Sequence, residues 1–177
     1  MRNSLAQKFD QLKTDISELK KVLYSKYSCD PYSVITEIAE NYSDHLKQKE
    51  IKLSIEKKYT GKQGALIKSF ELADIIDNLI QNAIRSIDDK VKNEISIIIS
   101  TKTPKLIIET NNNGKVIPKK DYQKIFEDGY STTGSTGSGL YLSRKILEKY
   151  GGKISLSHSN EKLGTSFKIE LHEGIIK

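Results

Sequence analysis

Glu71-Leu-Ala-Asp-Ile-Ile-Asp-Asn-Leu-Ile-Gln-Asn-Ala-Ile-Arg85 is the stretch whose reading decides the fold. Its apolar residues Ile75, Leu79, Ile80 and Ala83 recur at the three-and-four spacing of one helix face, which predicts a helix over about 70–88. Asn78 and Asn82 stand four residues apart, so they lie about 40° apart on one face, at roughly 100° per residue. A helix with an apolar side and a paired carboxamide side has to sit between a core and something wet and polar. Downstream, Gly134-Ser-Thr-Gly-Ser-Gly-Leu140 leads into a second helix over about 139–150, closed by Gly151 and Gly152. Glycine-rich backbone running into a helix start offers N–H groups and a favourable dipole to an anion. Alone, that run is a weak signal. It lacks the lysine of a P-loop and does not follow a first strand as a dinucleotide fingerprint does.

Outward from these helices the chain alternates. Ile51-Lys-Leu-Ser-Ile55 reads as a strand with one wet face, and further strands are expected near 94–100, 104–110, 153–158 and 164–171. Pro31 suits the first turn of a helix over 31–48. Tyr59 to Ala65 reads as a loop with two glycines. Residues 111–138 are polar and poorly periodic, with a short helix near 119–126; so long a connection is usually functional or disordered. The pattern lacks regular βαβ units and predicts an α/β sandwich: a mixed sheet covered on one face by helices. At the N-terminus Leu5, Phe9, Leu12, Ile16, Leu19 and Leu23 alternate in steps of four and three over residues 4–27. That narrow seam calls for a partner helix; a helix folded back on its own domain is the alternative.

Composition narrows the function. The 177 residues suit one domain plus an appendage. The single Cys29 excludes a disulfide framework and fits a reducing compartment, so a cytoplasmic location is expected. No run of about 18 apolar residues exists to cross a membrane, and the polar N-terminus carries no secretory signal. The formal charge of +6 is modest and spread along the chain, which argues against nucleic acid while still favouring a polyphosphate.

Taken in order, the 71–85 run, Asn112-Asn-Gly-Lys-Val-Ile-Pro118, the 134–140 run and Gly164-Thr-Ser-Phe167 resemble the boxes of the ATP-binding superfamily that joins gyrase, the large heat-shock chaperones, histidine kinases and mismatch-repair ATPases. The resemblance covers roughly residues 31–173. It implies a Bergerat-type two-layer α/β sandwich binding ATP and Mg²⁺. Residues 30–177 would form the ATP-binding catalytic domain, with a lid over about 115–139. Residues 1–29 would be part of a dimerisation hairpin, making a homodimer through residues 4–27. By resemblance, Asn82 holds Mg²⁺ through its carboxamide oxygen and Arg85 meets phosphate. Asn112 and Thr165 meet adenine, with Gly114 and Ile117 in the adjoining turn. Ser135, Thr136, Gly137, Ser138, Gly139 and Leu140 cradle the phosphates, while Phe126 anchors the lid.

The departures are informative. Water-splitting relatives carry a glutamate general base where this chain has Asn78, and an amide cannot take a proton near neutral pH. Asn78 therefore leans toward phosphoryl transfer to an imidazole, which is nucleophilic when neutral. Asn112 replaces an aspartate, and Val116 replaces a glycine at a position where a positive φ or close backbone approach makes a β-branched residue costly. Thr133 stands where many relatives carry a lysine. None of His45, His158 and His172 lies in a phosphoacceptor motif. The resemblance to a histidine kinase thus implies an acceptor histidine domain supplied in cis or in trans, and a response-regulator-like protein beyond it. Arg2-Asn-Ser-Leu5 as the tail of that acceptor motif is a four-residue match only. Two other readings stay open: a degenerate nucleotide-binding scaffold that dimerises through residues 4–27, and a serine kinase of the anti-sigma type.

Overall fold

The computed structural model describes residues 2–24, 27–87, 93–131 and 137–176. Five helices run α1 Arg2–Tyr24, α2 Pro31–Glu40, α3 Ser43–Gln48, α4 Ser69–Ser86 and α5 Gly139–Lys149. Seven strands run β1 Ser28–Cys29, β2 Ile51–Lys57, β3 Gln63–Leu66, β4 Asn93–Lys102, β5 Lys105–Asn112, β6 Lys153–Asn160 and β7 Gly164–Ile175. They form one mixed sheet in the order β1-β3-β7-β5-β4-β2, with β6 also paired to β7. Among the described residues β2 and β4 pair in parallel and the other pairs are antiparallel.

Alternation along the strands makes the sheet two-faced. Ile95, Ile97 and Ile99 of β4, Leu106 and Ile108 of β5 and Phe167, Ile169 and Leu171 of β7 are buried. Against them α4 buries Leu72, Ile75, Ile76, Leu79, Ile80, Ala83 and Ile84. Each of these leucines and isoleucines contributes about 1.5–3 kcal/mol on leaving water, so this stripe is what holds α4 to the sheet. The other sheet face is polar: Lys105 and Lys168 both pair with Glu170 there. The expected two-layer α/β sandwich is the architecture found.

Local chemistry explains the element boundaries. The Asp30 carboxylate caps α2 by accepting from Tyr32 N–H at 3.1 Å and the Ser33 hydroxyl at 2.7 Å, with Pro31 in the first turn. Gly151 and Gly152 close α5 by donating to the Glu148 and Leu147 carbonyls.

Four expectations need correction. The helix over 31–48 is two helices, because Tyr42 N–H bonds back to the Ala39 carbonyl, three residues away, and the Tyr42 side chain turns toward α4. The loop over 59–65 ends in β3, whose Gly64 and Ala65 pair with β7 and, at Ala65, with β1. Residues 119–126 hold two 3-10 turns, Lys119–Asp121 and Lys124–Phe126, instead of an α-helix. The chain break at 28–31 includes the short strand β1. The seam of α1 is not folded back on the domain: Phe9, Leu12, Ile16 and Leu19 are each half or more exposed. The side chains of Leu5 and Leu23 lie outside the described residues.

Candidate functional site

A cleft of about 490 Å³ opens between α4, the turn after β5, the segment before residue 132, the start of α5 and the first residues of β7. Nine of the residues singled out from sequence line it: Asn78, Asn82, Arg85, Asn112, Ile117, Gly137, Gly139, Leu140 and Thr165. Ser135 and Thr136, with Thr133 and Gly134, lie outside the described residues. Gly114 and Ser138 do not reach the wall. Gly114 is buried behind Asn112, and Ser138 precedes α5, where its carbonyl accepts from Leu142 N–H at 2.8 Å. A smaller hollow of about 200 Å³ sits on the polar sheet face over Lys52, Ser54, Glu94, Ser96 and Asn111, and of the residues singled out from sequence it reaches Asn112 alone.

One end of the cleft is built by strand register. Asn112 of β5 pairs with Thr165 of β7, and Thr165 pairs with Ser159 of β6, so three polar residues form one row across three strands. All three are buried. The Ser159 hydroxyl accepts from Ile117 N–H at 2.8 Å and lies 2.6 Å from the Thr165 hydroxyl. The Asn112 amide oxygen accepts from Gly114 N–H at 3.0 Å and lies 2.9 Å from the Ser86 hydroxyl, whose one proton also faces the Ala83 carbonyl at 2.8 Å. A backbone N–H can only donate, so the group at 3.0 Å must be oxygen. With the oxygen turned toward Gly114, Nδ2 is the part of the Asn112 amide that faces away from that turn. Gly114 is needed because a Cβ there would stand 2.4 Å from the Ser86 carbonyl oxygen. Val116, by contrast, sits without a positive φ; among the described non-glycine residues only Glu50 has one. Ile117, Ile125, Leu140 and Phe167 give this end apolar walls suited to a flat base. Phe126 meets Phe167 edge-on at 6.4 Å, with the Arg144 guanidinium 5.9 Å from its ring.

The other end is built by the polar side of α4. Asn82 is half-buried and Arg85 exposed at the rim, where it donates to the Gln81 side-chain oxygen at 2.6 Å. Asn78 binds α5: its Nδ2 donates to the Ser143 hydroxyl at 2.9 Å, and a Cβ on Gly139 would stand 2.0 Å from its oxygen. Gly139 therefore serves the close approach of two helices as well as lining the cleft. Among the described residues Arg85 and Lys115 are the charged ones that line the cleft, and no carboxylate lines it. The balance favours a polyanion. Among the described residues no cluster of three His, Cys, Asp or Glu side chains could hold a metal unaided. A divalent cation fits as a companion of phosphates, with Asn82 adding one hard oxygen.

Sequence reading missed Ser86, Ser159, Gln81, Ser143 and Tyr130. Ser86 was within reach, being four residues beyond Asn82 on the same side of the helix. Ser159 was not, because its role depends on the pairing of β6 with β7. Tyr130 lines the cleft, and its hydroxyl is held above its ordinary pKa by donating to the buried Asp121. His45 is exposed on α3, and His158 on β6 and His172 on β7 are half-buried, all away from the cleft walls.

Residues 67–175 match the model of the family described as histidine kinase-, DNA gyrase B-, and HSP90-like ATPase. Sensor histidine kinase DpiB of Escherichia coli is 33% identical over 109 residues, covering 58% of this chain and 20% of that protein. The chain spans less than a third of the length of such curated relatives. The nucleotide-free catalytic domain of histidine kinase ThkA superposes with a TM-score of 0.71 at 23% identity, covering 82% of this chain and 93% of that one. ThkA in complex with response regulator protein TrrA superposes at 0.69 with 24% identity, covering 96% of this chain and 49% of that one.

Proposed function

This chain belongs to the histidine kinase-, DNA gyrase B-, and HSP90-like ATPase family, and from that premise we propose that it is the ATP-binding catalytic domain of a histidine kinase. It would bind Mg·ATP and transfer the γ-phosphoryl group to a histidine outside the chain. The observation that carries this reading is the make-up of the phosphate end: carboxamides and cations line it, with Asn78 where a water-activating carboxylate would stand. Without a general base in place, water is a poor acceptor, while a neutral imidazole needs none.

The residues divide the work by position. Asn112 and Thr165 meet the base edge, Thr165 backed by Ser159, with Ile117, Leu140 and Phe167 on its faces. Asn82 would hold the Mg²⁺ through its carboxamide oxygen, and that ion would supply charge neutralisation on the phosphates. Arg85, Gly137 and Gly139 orient the triphosphate, with residues of about 115–139, including Ser135, Thr136 and Ser138, acting as a lid. The γ-phosphorus–oxygen bond to the leaving diphosphate breaks as a nitrogen–phosphorus bond forms on the acceptor imidazole, so positioning and charge neutralisation are the whole of the chain's contribution. Residues 1–29 would dimerise through the exposed seam of α1 and residues 30–177 would form the catalytic domain. A response-regulator-like protein would take the phosphoryl group onward, in the cytoplasm.

Calorimetric titration with a non-hydrolysable ATP analogue and Mg²⁺, alongside Asn82→Ala, tests the reading. Binding that weakens in the variant supports it. Absence of heat from a folded chain at millimolar nucleotide favours a second reading, a dimerising scaffold with a degenerate site. The amide oxygen of Asn112 turned toward Gly114 and the exposed α1 seam are the observations behind that alternative. Acid lability of the phosphorylated product separates a histidine acceptor from the serine acceptor of an anti-sigma-type kinase.

A further inference from the structure

Beside the cleft, α4 carries a chain of hydrogen bonds that the binding roles above do not use. The Tyr42 hydroxyl, from the turn between α2 and α3, donates to Asp77 Oδ1 at 2.5 Å. Asp77 Oδ2 accepts from Gln81 Nε2 at 2.8 Å, and Gln81 Oε1 accepts from Arg85 at 2.6 Å. The three α4 residues are spaced four apart, on one side of the helix. Tyr42 is not local to them; it is 35 residues from Asp77 and packs against the core. Burial, together with donation to Asp77, pushes its hydroxyl up to about 12, so it stays protonated as a donor.

The chain has a direction. Asp77 only accepts and Arg85 only donates, so the Gln81 amide between them can sit one way round. Its nitrogen faces the carboxylate and its oxygen faces the guanidinium. Arg85 is otherwise exposed, and a long exposed side chain loses rotamer freedom when it meets a ligand. A tether that already holds it at the rim removes part of that loss. One N–H engages Gln81, which leaves the rest of the guanidinium fork to meet an anion.

We propose that Tyr42, Asp77 and Gln81 form a positioning relay that holds Arg85 toward the terminal phosphate of the bound nucleotide. The inference rests on the reading of Arg85 as a phosphate ligand. Asp77→Asn breaks the relay without changing its shape. The amide has one oxygen where the carboxylate had two, so Tyr42 and Gln81 compete for it, and where Tyr42 keeps it the new NH₂ faces Gln81. Gln81 must then turn its oxygen toward position 77 and its NH₂ toward Arg85, donor against donor. Adding Gln81→Glu restores an acceptor at both ends and returns the net charge to its original value.

The test is titration of the chain with Mg·AMP-PNP and with Mg·ADP, read as the ratio of the two affinities, with thermal unfolding beside it. Asp77→Asn is expected to weaken the triphosphate about five- to tenfold and the diphosphate less than about twofold, the scale of one charge-assisted hydrogen bond. Tyr42→Phe shifts the ratio in the same direction by less. Asp77→Asn with Gln81→Glu brings the ratio back to that of the unaltered chain. Equal losses for both nucleotides, or a ratio untouched in Asp77→Asn while Arg85→Ala changes it, overturn the relay and leave the phosphate role of Arg85 standing. A ratio untouched even in Arg85→Ala overturns that role and the relay with it.

Discussion

The two ends of the cleft are made of different material. The base end is a row of buried residues on three neighbouring strands, with Asn112 6%, Thr165 3% and Ser159 8% exposed. Its polar groups are already bonded to one another and to the turn at 114–117 before any ligand arrives. The phosphate end is a row of side chains on one helix, half-buried at Asn82 and exposed at Arg85, with exposed Lys115 facing it from the turn after β5. The contrast teaches where binding and folding are coupled. A group that completes a buried hydrogen-bond network supports the fold, so it cannot be removed from the site alone. A rim side chain in water can be, because its loss leaves nothing buried and unpaired.

Gly114→Ala puts the strongest pressure on that contrast. The added Cβ would meet the Ser86 backbone carbonyl, and α4 or the turn must move. The expected cost is about 2–3 kcal/mol in denaturant unfolding, together with loss of nucleotide binding. A variant that unfolds normally and still binds would break the coupling at the base end. Asn82→Ala probes the opposite end. It should weaken Mg·nucleotide about tenfold, or about 1.4 kcal/mol, while stability stays within about 0.5 kcal/mol. Loss of stability larger than loss of binding would show the two ends to be alike.

Asn112→Asp sharpens the comparison, because it should move stability and affinity in opposite directions. The second carboxylate oxygen would replace Nδ2 and accept from the amino group of adenine. Affinity for ATP analogues should rise about three- to fivefold, while the nucleotide-free chain loses about 1 kcal/mol from a buried charge short of donors. Parallel calorimetry and chemical unfolding would read both.

Glu170→Gln should touch neither end. Hydrogen bonds from Lys105 and Lys168 lower the Glu170 carboxyl from 4.5 to about 2. A depressed folded pKa gives stability that is complete above 4.5 and is lost as pH falls toward 2, so the variant should flatten that acid arm alone. With Lys105 half exposed, the effect should stay below about 1 kcal/mol. A change in nucleotide affinity at neutral pH would mean that the polar sheet face communicates with the cleft.

Much of this molecule is legible in one dimension. The α4 stripe, the strand alternation and the glycine closure of α5 are local periodicities, and their residues fall where the pattern puts them. Legibility ends at contacts between segments remote in sequence. β3 and β1 are too short and too polar to announce themselves, and they exist because β7 offers an edge. Tyr42 reads as one more residue of a continuous helix until Asp77, 35 residues on, turns it inward. Val116 reads as a costly replacement of glycine, yet the backbone there needs no positive φ.

What the sequence determined by itself is the inventory: an amphipathic helix with paired carboxamides, glycine-rich turns in a set order, a cationic balance and an unpaired helical seam. Those are properties of spacing and residue type, carried by neighbours a few positions apart. Tertiary structure alone decided how the inventory is used. It turned the Asn112 oxygen toward Gly114, set Ser159 beside Thr165, and tied Arg85 through Gln81 and Asp77 to Tyr42. The physical reason is that a hydrogen-bonding group has few partners to give. Which partner it takes depends on strand register and helix placement, and both are settled by burying the apolar faces.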